Sequence, residues 1–247
     1  MKAAVISEKG LRPEMEDAHF LDLNFAGKGW AYGGVYDGHG GKMAAEYAAG
    51  RVHESFLVKL LDGVTPQQAF VDSYEAVSGE LKEQESGTTA VDFLIGDGKI
   101  HTANVGDARA LVVGKLGVHQ FTIDHRLDNS TEKQRIVNMG GRISYPYTYK
   151  GMNGLMPTRT LGDEYFKSVG IIATPSVDEY RITSDDLFLI AACDGLFDFM
   201  SNEEVAGFSR AYAEPRVLVD ALSREVLINR RGTDNLTIIA VALPSEA

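Results

Sequence analysis

From Thr88 to Ile123 the chain passes through four β-type stretches, "TTAVDFLIG", "KIHTANVG", "ARALVVG" and "GVHQFTI", with only glycine-containing turns between them. Parallel neighbours would need a crossover of about a dozen residues, so this run reads as an antiparallel meander. "LIGDGKIH" is the simplest junction, with Asp97-Gly98 as a plain hairpin turn. Further β-like runs open the sequence ("AAVIS", "AHFLDLNF", "WAYGGVY"), and "DLFLIAAC" and "LTIIAVAL" are apolar enough to be buried strands.

Helical spacing appears from about Gly41 to Leu61. A second helix starts at "TPQQAF", where Thr65 caps and Pro66 suits the first turn, and runs to about Gln84. Thr131 and Gln134 make a capping-box pattern stopped by Gly140, and Ser201 with Glu204 opens "SNEEVAGFSRAYA". "PRVLVDALSREVLINRR" is the last helix. The stretch from about Ser144 to Asp163 has no periodicity and reads as a long loop, a kind that is often functional. Strands and helices do not alternate as in a βαβ protein. The expectation is an α+β fold, two packed antiparallel sheets with helices outside, in one domain over 1–247.

A net charge of −11 argues against nucleic acid or an anionic membrane as partner. The charge has two sources to choose between, a solvated acidic surface or a cluster of carboxylates that expects cations. Only the second puts acids at the ends of buried strands. Asp37 follows "GGVY", Asp194 follows "FLIAAC", and Asp234 stands before "NLTIIAV". Glu16 and Asp17 precede a strand in "RPEMEDAHF", and Asp107 lies in "ANVGDARAL". Each alone is an ordinary turn or cap residue. Gathered at one rim they repel, and the cluster becomes favourable only around cations. All-oxygen donors select hard ions, Mg²⁺ or Mn²⁺ rather than zinc.

Cys193 is the single cysteine, which rules out an intramolecular disulfide and suits a reducing cytoplasm. "MKAAVISEKG" lacks an apolar leader core and no stretch has the length of a membrane span, so a cytoplasmic monomer is expected.

Taken in order, "RPEMED", "VYDGHGG", "SGTTAV", "ANVGDARA", "TRTLGD", "ACDGLFD" and "GTDNLTIIAV" resemble the metal-dependent serine/threonine protein phosphatases of the PPM or PP2C family. The blocks span about residues 10 to 243. The resemblance implies paired antiparallel sheets flanked by pairs of helices, and phosphorylated proteins as substrates. It also implies two Mg²⁺ or Mn²⁺ ions bridged by Asp37, with the Gly38 carbonyl and Glu16 on one and Asp194 and Asp234 on the other. Asp107 with Asp194 matches a weaker third-ion site. Arg12 matches the arginine that grips the substrate phosphate, and His39 the general acid facing the leaving oxygen. Asp17, Asp163 and Asp198 would hold waters around the ions. Hydrolysis would then proceed by direct attack of an activated hydroxide, without a phosphoenzyme.

Rival chemistries fail on their own residues. A cysteine phosphatase wants an arginine six residues after its cysteine, where Phe199 stands. "GGKMA" lacks the residues of a phosphate-binding loop, with Tyr36 and Met43 in the wrong places. His125 in "IDHRLD" reads as structural, and there the chain has Arg126-Leu127 where the family commonly has Lys-Pro. A second departure, "KGMNGLMPTRTLGD", puts Lys150 and Pro157 in a loop beside the site. A binding module that has lost catalysis would have shed ligands, and none of the main ones is missing. A hydrolase of small phosphoesters on the same fold stays open.

Overall fold

The computed structural model describes residues 1–244. The chain opens with β1 (Lys2–Glu8), β2 (Ala18–Phe25), β3 (Trp30–Tyr36) and the short β4 (Gly38–His39). Two helices follow, α1 (Met43–Leu61) and α2 (Pro66–Glu80). The meander comprises β5 (Gly87–Thr88), β6 (Ala90–Gly96), β7 (Lys99–Val105), β8 (Arg109–Gly114) and β9 (Val118–Gln120). Next come α3 (Ser130–Asn138), β10 (Arg142–Ser144), β11 (Tyr147–Lys150), β12 (Asn153–Leu155), β13 (Leu161–Gly162) and α4 (Glu164–Lys167). The chain continues with β14 (Ser176–Arg181), β15 (Asp186–Ala192) and α5 (Asp194–Phe197). It closes with α6 (Asn202–Ala211), α7 (Pro215–Arg224) and β16 (Leu236–Ala242).

Two five-stranded sheets form, in the orders β14-β7-β6-β3-β2 and β1-β16-β15-β8-β9, with every pairing antiparallel. The central strands are apolar on both faces because each face has its own core. Along β15, Leu189, Ala191 and Cys193 enter the layer between the sheets with Val35, Phe93 and Ile239. The alternate residues Phe188, Ile190 and Ala192 meet Val205, Leu218 and Leu222 of α6 and α7. In the other sheet Tyr32, Ala90 and Leu94 face Val52, Phe56, Phe70 and Tyr74 of α1 and α2. The period of two thus feeds three cores and stacks helices, sheet, sheet and helices. No helix among the described residues is long and apolar enough to cross a membrane.

The expected fold class holds, with local differences. The meander is split between the sheets: β6 and β7 belong to one, β8 and β9 to the other. The step is made at Gly106, which takes φ +82° with Thr89 pressed where a Cβ would sit. Helix α1 starts at Met43 rather than Gly41, and α2 ends at Glu80 rather than Gln84, where buried Leu81 caps it. Asn129 caps α3, its side chain accepting from the N–H groups of Thr131 and Glu132, so the Thr131/Gln134 pattern lies inside the helix. The stretch read as a loop from Ser144 holds the antiparallel sheet β10-β11-β12. The last helix loosens into a π turn over Glu225–Asn229. The Asp97-Gly98 hairpin, the Thr65 cap and the Ser201/Glu204 capping box form as expected.

One polar group sits inside the helix-facing core. Asp92 is fully buried, and its Oδ1 accepts from the Tyr32 and Tyr36 hydroxyls at 2.9 and 2.6 Å. Its Oδ2 accepts from Tyr74 at 2.7 Å. Burial pushes its carboxyl up to about 6, against the pull of the three hydroxyls. Gly34 leaves the room, since a Cβ there would lie 2.4 Å from Asp92 Oδ1. Removing the acid strands the buried Tyr32 and Tyr36 hydroxyls, each costing about 1–3 kcal/mol, while the Tyr74 hydroxyl keeps the Ala103 carbonyl at 3.0 Å. Urea unfolding is therefore expected to show a loss of about 3–6 kcal/mol for Asp92→Ala, against about 1–2 kcal/mol for Tyr74→Phe. Losses below about 1 kcal/mol for both would show that this cluster does not anchor the core.

Candidate metal centre and active site

The acids gather because the strands of both sheets stop at the same rim. Asp37 stands at the end of β3, and Asp194 follows Cys193 at the end of β15. Asp234 and Asn235 lead into β16, whose Ile238 pairs with Ala192. Asp107 lies in the step from β7 to β8. They open on a cleft of about 710 Å³, lined also by Arg12, Glu16, Gly38, His39, Asp163, Asp198, Met152 and Pro157. Asp17 lies behind this lining and is buried.

Glycines and one asparagine bring Glu16 to Asp37. A Cβ on Gly38 would lie 2.3 Å from the Glu16 carbonyl oxygen, so the bare backbone is needed for that approach. Gly40 and Gly41 take φ +67° and +113°, turning the chain toward α1, and the Gly41 N–H donates to Glu16 Oε1 at 2.6 Å. Asn235 accepts from the Glu16 N–H at 2.8 Å and donates to the carbonyls of Lys9 and Glu14. It pins the whole segment around Arg12. Sequence reasoning gave Asn235 no task; its one signal was a polar residue between Asp234 and a fully apolar strand.

Burial drives the Asp37 carboxyl well above the usual range, and repulsion from Asp194, Asp17 and Asp107 adds to it. Asp194 is pushed up to about 8, first by burial and then by Asp107, Asp198 and Asp234. Asp17 is pushed up to about 6 by burial, although the Thr237 hydroxyl donates to its Oδ2 at 2.8 Å. Its other oxygen is buried without a partner. Oxygens of Asp17 and Asp37 lie with Cys193 Sγ inside a 4.8 Å cluster. Burial also pushes the Cys193 thiol up, so it stays protonated and leaves the oxygens as donors. Buried acids that repel one another, Asp37 and Asp194 foremost, are what a hard cation satisfies. The set Glu16, Asp37, Gly38, Asp194 and Asp234 fits Mg²⁺ or Mn²⁺.

His39 faces the same cleft but belongs to a different pairing. Its Nε2 donates to Asp163 Oδ2 at 2.8 Å. The small antiparallel sheet β4-β5-β13 sets this up, pairing His39 with Gly87 and Gly87 with Gly162. A Cβ on Gly87 would lie 2.0 Å from the Asp163 carboxylate. Burial opposes the imidazolium, yet Asp163 more than offsets it and the His39 pKa is raised. Asp163 thus bonds the histidine through one of its two oxygens.

Two arginines reach into the acidic cluster. Arg12 Nη2 donates to Asp234 Oδ2 at 2.7 Å from a half-exposed position. Arg126 donates to Asp107, Asp194 and Asp198, taking Oδ1 of Asp198. His125 is structural as read: it is buried, its Nε2 meets Ser176 Oγ at 2.8 Å, and burial lowers its pKa to about 3.

With this geometry in hand, the chain is similar to known proteins along its whole length. The family model described as "Protein phosphatase 2C" matches residues 1–235. Protein phosphatase 1A of Mus musculus is 32% identical over 284 residues, covering 99% of this chain and 71% of the relative. Protein phosphatase 2C homolog 1 of Saccharomyces cerevisiae is 32% identical, covering 94% and 89%. Among solved structures, a serine-threonine phosphatase 2C from Toxoplasma gondii superposes with a TM-score of 0.86 at 24% identity, covering 98% of this chain and 94% of the other.

The raised acids set the pH dependence of stability. Asp194 goes from 3.8 unfolded to about 8 folded, and Asp17 from 3.8 to about 6, so between these values the folded state holds protons the unfolded state has lost. Their contribution is complete below the unfolded value and is lost as pH rises through the folded one. In chelator the melting temperature is expected to fall from about pH 5.5 to about pH 8, while the gain from adding Mn²⁺ grows by about 2 °C or more. A gain independent of pH, measured by differential scanning fluorimetry, would show that these acids do not bind the ions.

Proposed function

The chain belongs to the protein phosphatase 2C family, and from that premise we propose that it hydrolyses phosphoserine and phosphothreonine in proteins, with two Mg²⁺ or Mn²⁺ ions as cofactors. When bound, two such ions make water nucleophilic near neutral pH and offset charge on the phosphoryl oxygens. Glu16, Asp37, the Gly38 carbonyl, Asp194 and Asp234 would hold them. The chain's own residues do the rest.

The observation that carries the reading is the opposed placement of acids and imidazole around one cleft. Asp163 favours the protonated form of His39 and fixes its ring, which suits a general acid at the leaving serine or threonine oxygen. Arg12 sits on an exposed loop with its fork toward Asp234. It can exchange that single carboxylate bond for a substrate phosphate, whose oxygens can accept from both prongs of the guanidinium. The exposed Met152 and the nearby Pro157 line the cleft mouth, where a peptide flanking the phosphate would lie.

Phosphate release from phosphoserine and phosphotyrosine peptides, with and without Mn²⁺, tests the reading directly. Activity is expected to vanish with chelator and with Asp37→Asn, since an amide cannot bridge two cations with charged oxygens. Full turnover under either condition would overturn the two-ion proposal.

His39→Ala separates roles further. A serine alkoxide needs a proton as it leaves and a nitrophenolate does not. The variant is expected to lose most of the 10²- to 10⁴-fold typical of general acid catalysis on phosphoserine peptide, and little on nitrophenyl phosphate. Equal losses on both, with Mn²⁺ binding intact, would assign His39 to another task.

A further inference from the structure

Arg126 has no part in the chemistry above, yet it reaches the acidic centre. It stands in "IDHRLD" after β9, on backbone that is fixed on both sides. The His125 N–H donates to the Gly106 carbonyl, the Thr158 N–H donates to the His125 carbonyl, and Leu127 is buried in a local apolar cluster. From there Arg126 Nε donates to Asp107 Oδ2 at 2.6 Å. Its Nη2 donates to Asp194 Oδ2 at 3.3 Å and to Asp198 Oδ1 at 3.0 Å. The Asp107 side chain is 2% exposed, so the guanidinium meets it almost out of solvent.

Asp107 and Asp194 are the pair that the family resemblance would give to a third, weaker ion. Here a planar cation already bonds both, and Asp198 as well. A divalent ion at that position would have to expel the guanidinium and leave it facing the ion's own charge. A guanidinium stays charged at any working pH and is less strongly hydrated than an ammonium, which suits it to a buried acid. We propose that Arg126 is a tethered cation standing where a third ion would bind, so that this chain takes up two divalent ions and uses Asp107 to hold Arg126. The inference rests on the two-ion reading above. Arg126 is then a positioning residue for Asp194: it engages Oδ2 and leaves Oδ1 for an ion.

Counting Mn²⁺ on the purified full-length chain tests this. Free Mn²⁺ is read by its electron paramagnetic resonance signal during titration with Mn²⁺ alone. Arg126→Met keeps the apolar stem and removes the charge, and is expected to bind one ion more per chain than wild type. Arg126→Lys, which puts back the residue the family commonly has there, is expected to gain the ion as well, because a single ammonium does not span Asp107, Asp194 and Asp198 as the planar guanidinium does. Asp107→Asn in the wild-type background is expected to leave the count unchanged, because Asp107 bonds Arg126 and not an ion. Equal counts for wild type and Arg126→Met, or loss of an ion in Asp107→Asn, would overturn the assignment. The wild-type count separates the two readings: fewer than two ions overturns the two-ion centre, whereas three ions overturns the assignment of Arg126.

Discussion

Repulsion among carboxylates that the fold refuses to separate is the constraint on which the rest of this structure depends. Asp37, Asp194, Asp17 and Asp107 are brought together by strands from two sheets, and each is held above the ordinary carboxylate range, chiefly by burial. A fold can tolerate this only by supplying protons, cations or distance. The strand ends remove distance as an option, because moving any one acid away would break a ladder that also closes an apolar core. Protons and cations therefore compete for the same oxygens. Acid favours the closed, ion-free cluster, and neutral pH favours the loaded one.

The centre was legible in the sequence because its constraint is local. An acid that directly follows a buried apolar strand can be read from spacing alone, and Asp37 and Asp194 met that description, while Glu16, Asp107 and Asp234 lie one residue off a strand and stood out only in company with them. The glycines after Asp37 were legible for the same reason. What could not be read was who bonds whom across the chain. Asp163 reaches His39 only through the short sheet β4-β5-β13, whose strands are two residues each and carry no periodic signal. Asn235 organises the loop around Arg12 through backbone carbonyls, which leave no trace in composition.

Fold-level misses have the same origin. The division of the meander between two sheets depends on one glycine in a left-handed conformation packed on Thr89, and a turn that switches sheets looks in sequence like a turn that does not. Residues 142–155 form three short strands from tyrosines, glycines and asparagine, too short and too exposed for an alternating pattern to emerge. There the order comes from cross-links instead. Lys150 donates to the Tyr165 carbonyl and to Ser168 Oγ, and its ammonium lies 4.2 Å from the centre of the Tyr165 ring. The lysine that marks a departure from the family's loop is thus the residue that fastens the loop to α4.

These cross-links and the acidic centre share a stretch of chain. Asp124 accepts from Arg109, which opens β8 just after Asp107. Two residues on, Arg126 engages Asp107 and Asp194. Leu127 then packs with Ile136, Leu155, Phe166 and Ile171 in the small core beneath the cleft-side sheet. Alongside it, Glu132 accepts from Arg135, Arg159 and Thr158 in a buried cluster that holds its carboxyl down to about 2, despite the cost of burial. A stretch gripped this firmly at both ends has little freedom to relax when the charge at its middle changes. Arg126, which stands between Asp107 and Asp194, is therefore joined through Leu127 to the same small core that holds Leu155 of the cleft lining.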